Sequence, residues 1–418
     1  MIKLQTLKGF RDFLPNEARK RQYVINILKQ VFESYGFDPL ETPSLEYEEI
    51  LLGKYGEEGD KLMYRFEDRG KRKVAMRYDQ TVPLARVVAQ YGNDLPMPFK
   101  RYQIQPVWRA ENTKKGRYRE FLQCDIDIVG SSSSLADAEV CACVLEAVKK
   151  LGFNNSYLEL NDRSLFNNID QRYIPSLDKL KKIGEEGVID ELCKRGLDKE
   201  NATLLLYRIK EFQPPESLKT AFSLLKSFGL QENKYLRFSP ALVRGLDYYT
   251  GIIFELFDTQ YKNLSLGGGG RYDNLIGMFM KQTNLSAGRQ VAAVGFAFGF
   301  DRLIEAMTEL KLFPKDLTTT KVLLTIFSEE KPNKLKDGLK EKSFSCSLSL
   351  RSRGVSTELY LDENASLAKQ LKYADKKGIP YAIIIGEDEA TKNLVTLRDM
   401  KKRKQTTIKH EDILKKIY

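Results

Sequence analysis

The strongest constraint on how this chain folds is a pair of alternating stretches joined by a short basic turn. Residues 95–111, LPMPFKRYQIQPVWRAE, set Tyr102, Ile104, Pro106 and Trp108 at every second position, as a half-buried strand does. Residues 118–130, YREFLQCDIDIVG, alternate in the same way. Between them ENTKKGR supplies turn residues and cations. The pair reads as an antiparallel hairpin whose tip is basic.

Other elements are legible on either side of it. Val24, Ile27, Leu28, Val31, Phe32 and Tyr35 recur at helical spacing, and Gly36 ends that helix. Residues 135–151 predict a second helix, buried through Ala138, Val140, Cys141, Val144, Leu145 and Val148. From about 162 to 235 the pattern turns short, helical and charged, with Pro214 and Pro215 as punctuation, so an inserted helical module is expected. Strand character returns in ALVRGLDYYTGIIFELF and VAAVGFAF, before a helix through Leu303, Ile304 and Met307. Residues 312–320 form the linker candidate, which gives expected domains of 1–318 and 321–418. The second alternates strands and helices as a compact α/β domain does, with a mixed sheet and helices on its faces.

At 418 residues the chain has room for two or three domains and a sizeable core. It contains no apolar run near the roughly 18–20 residues of a membrane span. The opening MIKLQTLKGF lacks the apolar stretch of a signal peptide, so a cytoplasmic location and no membrane partner are expected. The five cysteines are odd in number and scattered, and read as reduced thiols. Cys141 and Cys143 have no second pair to complete a zinc site, so no metal-ligand set is expected. The single histidine, His410, is expected at a solvated helix start. With no second histidine, a Ser-His-Asp triad, a HExxH site or a histidine base is hard to build. Chemistry must therefore run on carboxylates, arginines, tyrosines and backbone amides. The formal charge is +11, and residues 321–418 alone carry 21 Lys/Arg against 14 Asp/Glu. That excess favours a polyanionic partner.

Four segments could carry the chemistry. SLGGGGRYD (265–273) reads as a phosphate-cradling loop or a flexible turn, and lacks the Lys-Ser/Thr of a P-loop. In residues 295–302, GFAFGFDR, small residues alternate with phenylalanines, which either opens one strand face to a flat ligand or serves sheet–helix packing. At the hairpin tip Arg109, Glu111, Arg117 and Arg119 lie within eleven residues, with Phe121 following. Guanidinium forks bind phosphates and a phenyl face stacks a base, so a nucleotide site competes with a salt-bridged surface hairpin. RGLDYYTG (244–251) reads as a strand with Arg244, Leu246 and Tyr248 on one face and Asp247 and Tyr249 on the other.

Read together, these segments resemble histidyl-tRNA synthetase, a class II aminoacyl-tRNA synthetase family. Residues 36–46, GFDPLETPSLE, are similar to motif 1, whose proline, here Pro43, belongs to a dimer interface. WRAE (108–111), the tip and GRYREF (116–121) resemble motif 2. Residues 295–302 resemble motif 3, with Ala297 where glycine is common, and Gln80 stands where leucine is usual. RGLDYYTG and GGRYD resemble the two signatures peculiar to histidyl enzymes. The resemblance implies an α+β fold in which an antiparallel sheet is flanked by helices, with a helical insertion and a C-terminal α/β anticodon-binding domain.

It implies the activity too, namely ATP-dependent attachment of L-histidine to tRNA(His) through an adenylate, with Mg²⁺ as a cofactor and a homodimer as the assembly. Arg109 and Arg244 would be catalytic. Arg109 would hold the α-phosphate and the histidine carboxylate, and Arg244 would stabilise developing charge. Arg117 and Arg302 would hold the outer phosphates, Glu111 the adenine amino group, and Phe121 would stack on the ring. Arg119 completes the ATP set. Asp79, Thr81 and Gln123 would receive the α-ammonium, Asp127 and Tyr249 the imidazole, and Tyr248 would complete the wall. Asp127→Ala is expected to impair histidine use while leaving the fold intact. The alternative is a non-catalytic regulatory or RNA-sensing relative.

Overall fold

The computed structural model describes residues 3–113, 116–243, 248–261, 264–280, 290–326 and 338–418, without the side chains of 56–58. The chain divides into two compact units. One is Met1–Leu14 with Lys20–Phe313, and the other is Pro314–Tyr418 with Pro15–Arg19.

The alternating stretches are adjacent antiparallel strands, Phe99–Trp108 and Glu120–Val129, in unbroken register from Phe99 opposite Val129 to Trp108 opposite Glu120. They belong to an eight-stranded sheet, which continues from Glu120–Val129 through Ala293–Gly299, Gly267–Arg271, Ile252–Asp258 and Ser156–Asp162. Those neighbours are all antiparallel. The short edge strands Asp38–Pro39 and Leu236–Phe238 pair parallel.

Helices Pro15–Ser34, Ser134–Lys150 and Phe300–Glu309 contribute to the main core beside the sheet. Pro15 occupies the first turn of its helix, where a missing N–H costs nothing, and Gly36 follows its end at φ 75°. Val24, Leu28, Val31 and Phe32 bury its apolar stripe. Ser133 Oγ accepts from Leu135 N and caps the second helix. Cys124, Ile126 and Ile128 supply the hairpin's share of this core.

The hairpin strands differ from the half-buried expectation. Arg101 and Gln103 are fully buried, and Asp125 and Asp127 nearly so. Alternation shows which side chains share a face, not what covers that face. Here the polar face floors a cavity and is closed off as completely as the apolar one.

The glycine run is also not a turn. Gly267–Arg271 is an interior strand between Ile252–Asp258 and Ala293–Gly299. A Cβ on Gly269 would lie 1.9 Å from the Gly295 carbonyl oxygen, so only glycine lets the two backbones approach this closely. The strand expected through RGLDYYTG begins only at Ile252. Residues 244–247 lie outside the described residues.

The helical stretch between Asp162 and Leu236 has two parts. Leu180–Lys194 and Lys199–Lys210 build a cluster of their own from Val188, Leu192, Ala202, Leu206 and Ile209. Beyond Pro214 and Pro215, Glu216–Ser227 turns Leu218, Ala221, Phe222 and Leu225 into the main core, against Ser134–Lys150. The insertion with a separate core thus stops near residue 212, because the next helix carries an apolar stripe that fits the sheet layer.

The C-terminal unit holds a five-stranded sheet in the order Thr357–Leu359, Val322–Leu324, Tyr381–Ile384, Leu394–Asp399, Lys404–Lys409. The first three strands are parallel and the last two antiparallel. Val322 and Leu324 join a cluster with helix Leu339–Ser352, while Leu323 packs with Ala374 of Leu367–Lys377, so each face has its helix. His410 opens a short helical turn, His410–Asp412. No helix among the described residues is long and apolar enough to cross a membrane.

Candidate active site

A cavity of about 500 Å³ opens on the polar face of the large sheet. Its floor is set by strand parity. Phe121, Gln123, Asp125 and Asp127 line it from one strand, with Gly295, Ala297 and Gly299 alternating beside them. Phe121 and Asp127 are six residues apart, about 20 Å along an extended strand. The cavity can therefore treat its two ends differently.

Carboxylates gather toward one end. Asp127 pairs with Arg101, Nη2 to Oδ2 at 2.7 Å, and accepts from the Tyr272 hydroxyl on Oδ1. Gly295 makes room, since a Cβ there would lie 1.9 Å from Asp127 Oδ1. Burial pushes Asp127 up to about 6, against the lowering by Arg101 and Tyr272. Asp79 is also raised by burial. Its Oδ1 accepts from Tyr55 Oη at 2.8 Å and from the backbone N–H groups of Thr81 and Val82 at 3.1 Å, where helix Thr81–Tyr91 begins. Gln123 Oε1 is a buried acceptor with no hydrogen-bond partner among the described residues, which suits an incoming ammonium. Tyr248 and Tyr249 line the same cavity, their ring centroids 4.9 Å apart. Strand alternation would have separated them, but both precede the strand, where the chain is irregular.

Asp125 lies between Gln123 and Asp127, and burial raises its pKa well above the ordinary carboxyl value. In the unfolded chain an aspartate ionises near pH 3.9, to within about a unit. Above that pH the unfolded state gains ionisation energy that the folded state lacks, so this group lowers stability as pH rises toward its folded pKa. Asp125→Asn is therefore expected to melt higher than the parent at neutral pH. The difference should vanish near pH 4, and melting curves across that range check it.

Cations gather toward the hairpin tip. Arg109 donates from Nε to the Tyr78 carbonyl at 3.0 Å, its guanidinium 4.4 Å from the Tyr78 ring centroid and 5.1 Å from that of Phe121. Arg302, in the first turn of Phe300–Glu309, lines the cavity and donates to Ser265 O at 2.9 Å. Arg117 and Glu111 also line it and pair with each other at 3.0 Å. Arg119 departs from expectation and is not among the lining residues. Its Nε is used by Glu111 O at 3.1 Å, and its stem packs under Gly9, whose carbonyl accepts from Arg119 N. It braces the tip. Arg244 lies outside the described residues.

The structure thus brings Asp79, Thr81, Arg109, Glu111, Arg117, Phe121, Gln123, Asp127, Tyr248, Tyr249 and Arg302 around one cavity. Sequence reading missed Arg101, Asp125 and Tyr272. The usable signal was polar character at every second residue of both hairpin strands, Arg101 and Gln103 on one and Gln123, Asp125 and Asp127 on the other.

Such a cavity suits a ligand pair with phosphates at one end and a cationic or N–H-bearing group at the other. A histidyl-tRNA synthetase family profile matches residues 9–303, and an anticodon binding domain profile matches 322–418. The chain is 37% identical over 462 residues to a histidine–tRNA ligase of Cytophaga hutchinsonii, covering 98% of each chain. It is 39% identical over 467 residues to one of Gloeobacter violaceus, covering 98% of this chain and 97% of that one. Its fold is similar to the crystal structure of histidyl-tRNA synthetase from Nostoc sp. PCC 7120, with a TM-score of 0.82 at 30% identity, covering 100% of this chain and 99% of the other. With its sheet, its cavity and its C-terminal unit alike accounted for, the chain belongs to the histidyl-tRNA synthetase family.

Proposed function

We infer that the chain attaches L-histidine to tRNA(His) with consumption of ATP, and that the polarised cavity performs the chemistry. The observation that carries this reading is the placement of Arg109, Arg117, Arg302 and Phe121 around the same cavity as Asp79 and Asp127. A regulatory or RNA-sensing role would leave this arginine set without a purpose.

In the first step a carboxylate oxygen of histidine attacks the α-phosphorus of ATP, a P–O bond forms, and the bond to pyrophosphate breaks. The attacker is already ionised, so no base is needed. What the step needs is positive charge that strengthens as the phosphorus becomes pentavalent. Arg109 bridges the carboxylate and the α-phosphate, Arg117 and Arg302 hold the outer phosphates, and Arg244 supplies further charge. Phe121 stacks on adenine and Glu111 receives its amino group, which requires the Glu111–Arg117 pair to open. Asp79, Thr81 and Gln123 orient the α-ammonium, while Asp127, Tyr249 and Tyr248 enclose the imidazole. In the second step a terminal ribose hydroxyl attacks the adenylate carbonyl and AMP leaves, with an adenylate phosphate oxygen as the proton acceptor.

Magnesium fits this donor set. Mg²⁺ is held by one or two carboxylates plus substrate phosphates, and Glu255 lines the cavity beside Gly267 and Gly268. It would neutralise phosphate charge there.

The C-terminal unit would take the anticodon stem, and residues 401–404 are candidate phosphate contacts. Residues 401–403 lie in the exposed turn between Leu394–Asp399 and Lys404–Lys409, and Lys404 opens the second strand, with Lys401 also 2.5 Å from Asp316. A homodimer is supported by Leu45, Tyr47 and Phe66, which are about half exposed on one face of a three-stranded sheet next to Pro43. The cytoplasm, where tRNA and ATP meet, is the proposed location. ATP–pyrophosphate exchange should depend on L-histidine and stay silent with other amino acids, and charging of tRNA(His) should follow. Exchange without histidine dependence would sink the reading.

A further inference from the structure

The hairpin register sets Arg101 directly opposite Asp127, and opposed residues share a face of a sheet. Arg101 is 0% exposed, a whole guanidinium taken out of water beneath the cavity. Besides its 2.7 Å contact with Asp127 Oδ2, it donates from Nη1 to Gln103 Oε1 at 3.2 Å and from Nη2 to the Gln80 carbonyl at 3.4 Å. Gln103 is itself fixed by Nε2 bonds to Thr42 Oγ1 at 2.8 Å and Gln105 Oε1 at 2.6 Å. These partners hold the guanidinium against the carboxylate, while its Nε has no hydrogen-bond partner among the described residues.

Several groups decide the charge that Asp127 carries. Arg101 faces it from the first hairpin strand, and Asp125 shares its own strand. Asp79 approaches from the start of Thr81–Tyr91. Tyr272 donates to it from beyond the glycine strand, with Tyr248 behind that ring at 5.9 Å. The neighbouring Ala293–Gly299 strand offers only Gly295. Burial and Asp79 favour the protonated acid, whereas Arg101 and Tyr272 favour the ion. Among the described residues Arg101 is the only full positive charge in that set, so the balance there turns on it. A protonated acid here would donate to the substrate ring rather than accept from it, which reverses the polarity of the recognition bond.

We propose that Arg101 is a positioning residue for amino-acid selection, holding Asp127 as an ionised and oriented acceptor so that the pocket takes a ring presenting N–H to it. This rests on the reading above that Asp127 meets the imidazole. A carboxylate has about four acceptor sites, and Arg101 and Tyr272 use two, so capacity remains for that N–H.

The test is kcat/KM for histidine in ATP–pyrophosphate exchange between about pH 6 and 8.5. It compares the parent, Arg101→Met, Arg101→Lys, Asp127→Asn and the Arg101→Met/Asp127→Asn double variant, each with a melting curve. The substrate imidazole titrates near pH 6.5 for every protein, so the ratio of parent to variant isolates the enzyme group. A neighbouring arginine lowers an aspartate pKa by about 1–3 units, so Arg101→Met should raise KM for histidine about tenfold or more near pH 7. That gap should close as pH rises, with kcat little changed. Arg101→Lys should show a smaller gap of the same shape, and it decides the matter alone if the methionine variant does not fold. The double variant should be no worse than Asp127→Asn. A ratio that is flat with pH, or a double variant clearly worse than Asp127→Asn, would leave Arg101 a merely structural role and overturn the proposal. An Asp127→Asn variant with unchanged KM for histidine would instead overturn the reading of Asp127.

Discussion

Arg109→Ala is expected to lower histidine-dependent ATP–pyrophosphate exchange by about 10³-fold, with the loss mainly in kcat. Removing one preorganised donor from a developing oxyanion typically costs about 10²–10³, and arginines at transferring phosphates reach about 10³–10⁵. The estimate falls between these because Arg109 is proposed to touch both reacting partners. Its guanidinium is fixed before either arrives, by the Tyr78 carbonyl at 3.0 Å and by the faces of Tyr78 and Phe121. Little ordering cost therefore remains to be met at the reaction. Arg109→Lys keeps a charge but loses the planar fork, so it should recover only part of the rate. The fold should survive both changes. The backbone bond from Arg109 N to Arg119 O is untouched, and the lost side-chain bond is worth about 1 kcal/mol net. Exchange at saturating ATP and histidine is the measurement. A loss under tenfold would remove Arg109 from the reacting centre.

Some of this site was legible in the order of residues, and the reason is geometric. Strand period two puts Phe121, Gln123, Asp125 and Asp127 on one face whatever lies above them, so the hairpin was readable from periodicity. The identity of that upper layer was not. Alternation looks the same whether a polar face meets solvent or a closed cavity, which is why complete burial of Arg101 and Gln103 was unforeseen. Gly267–Gly270 misled for a related reason. Glycines break isolated strands, yet here three backbones crowd together in a sheet interior, and that crowding is visible only once the neighbouring strands are placed.

Roles taken from motif likeness are a different kind of knowledge. The likeness to motif 2 grouped Arg117 and Arg119, but two residues of the same parity met different fates. Arg117 lines the cavity, while Arg119 is drawn back by Glu111 O and by the Gly9 segment, 110 residues earlier in the chain. Tyr272 sat inside a quoted signature, GGRYD, with no role assigned, because only the fold brings it to Asp127 across 145 positions of sequence.

Asp127→Ala is the second large effect, and here the fold revises what the sequence suggested. Loss of the proposed acceptor for the imidazole should cut kcat/KM for histidine by about 10⁴, the lower end of the about 10⁴–10⁵ that a site built to pair a polar side chain can discriminate. KM for ATP should move little, since Phe121, the proposed stacking partner of adenine, lies about 20 Å away along the strand. The expectation of an intact fold does not hold. Truncation leaves Arg101 buried without its counter-ion and Tyr272 without its acceptor, and breaking a buried pair costs about 3–5 kcal/mol. A fall of several degrees in melting temperature should therefore accompany the kinetic loss. Asp127→Asn separates the two effects. Its amide oxygen still accepts from Tyr272 or Arg101, so it should recover part of the stability while catalysis with histidine stays impaired. Melting curves and exchange kinetics measured side by side decide the matter. If both variants melt low yet use histidine as well as the parent does, Asp127 is a counter-ion for a buried arginine and nothing more.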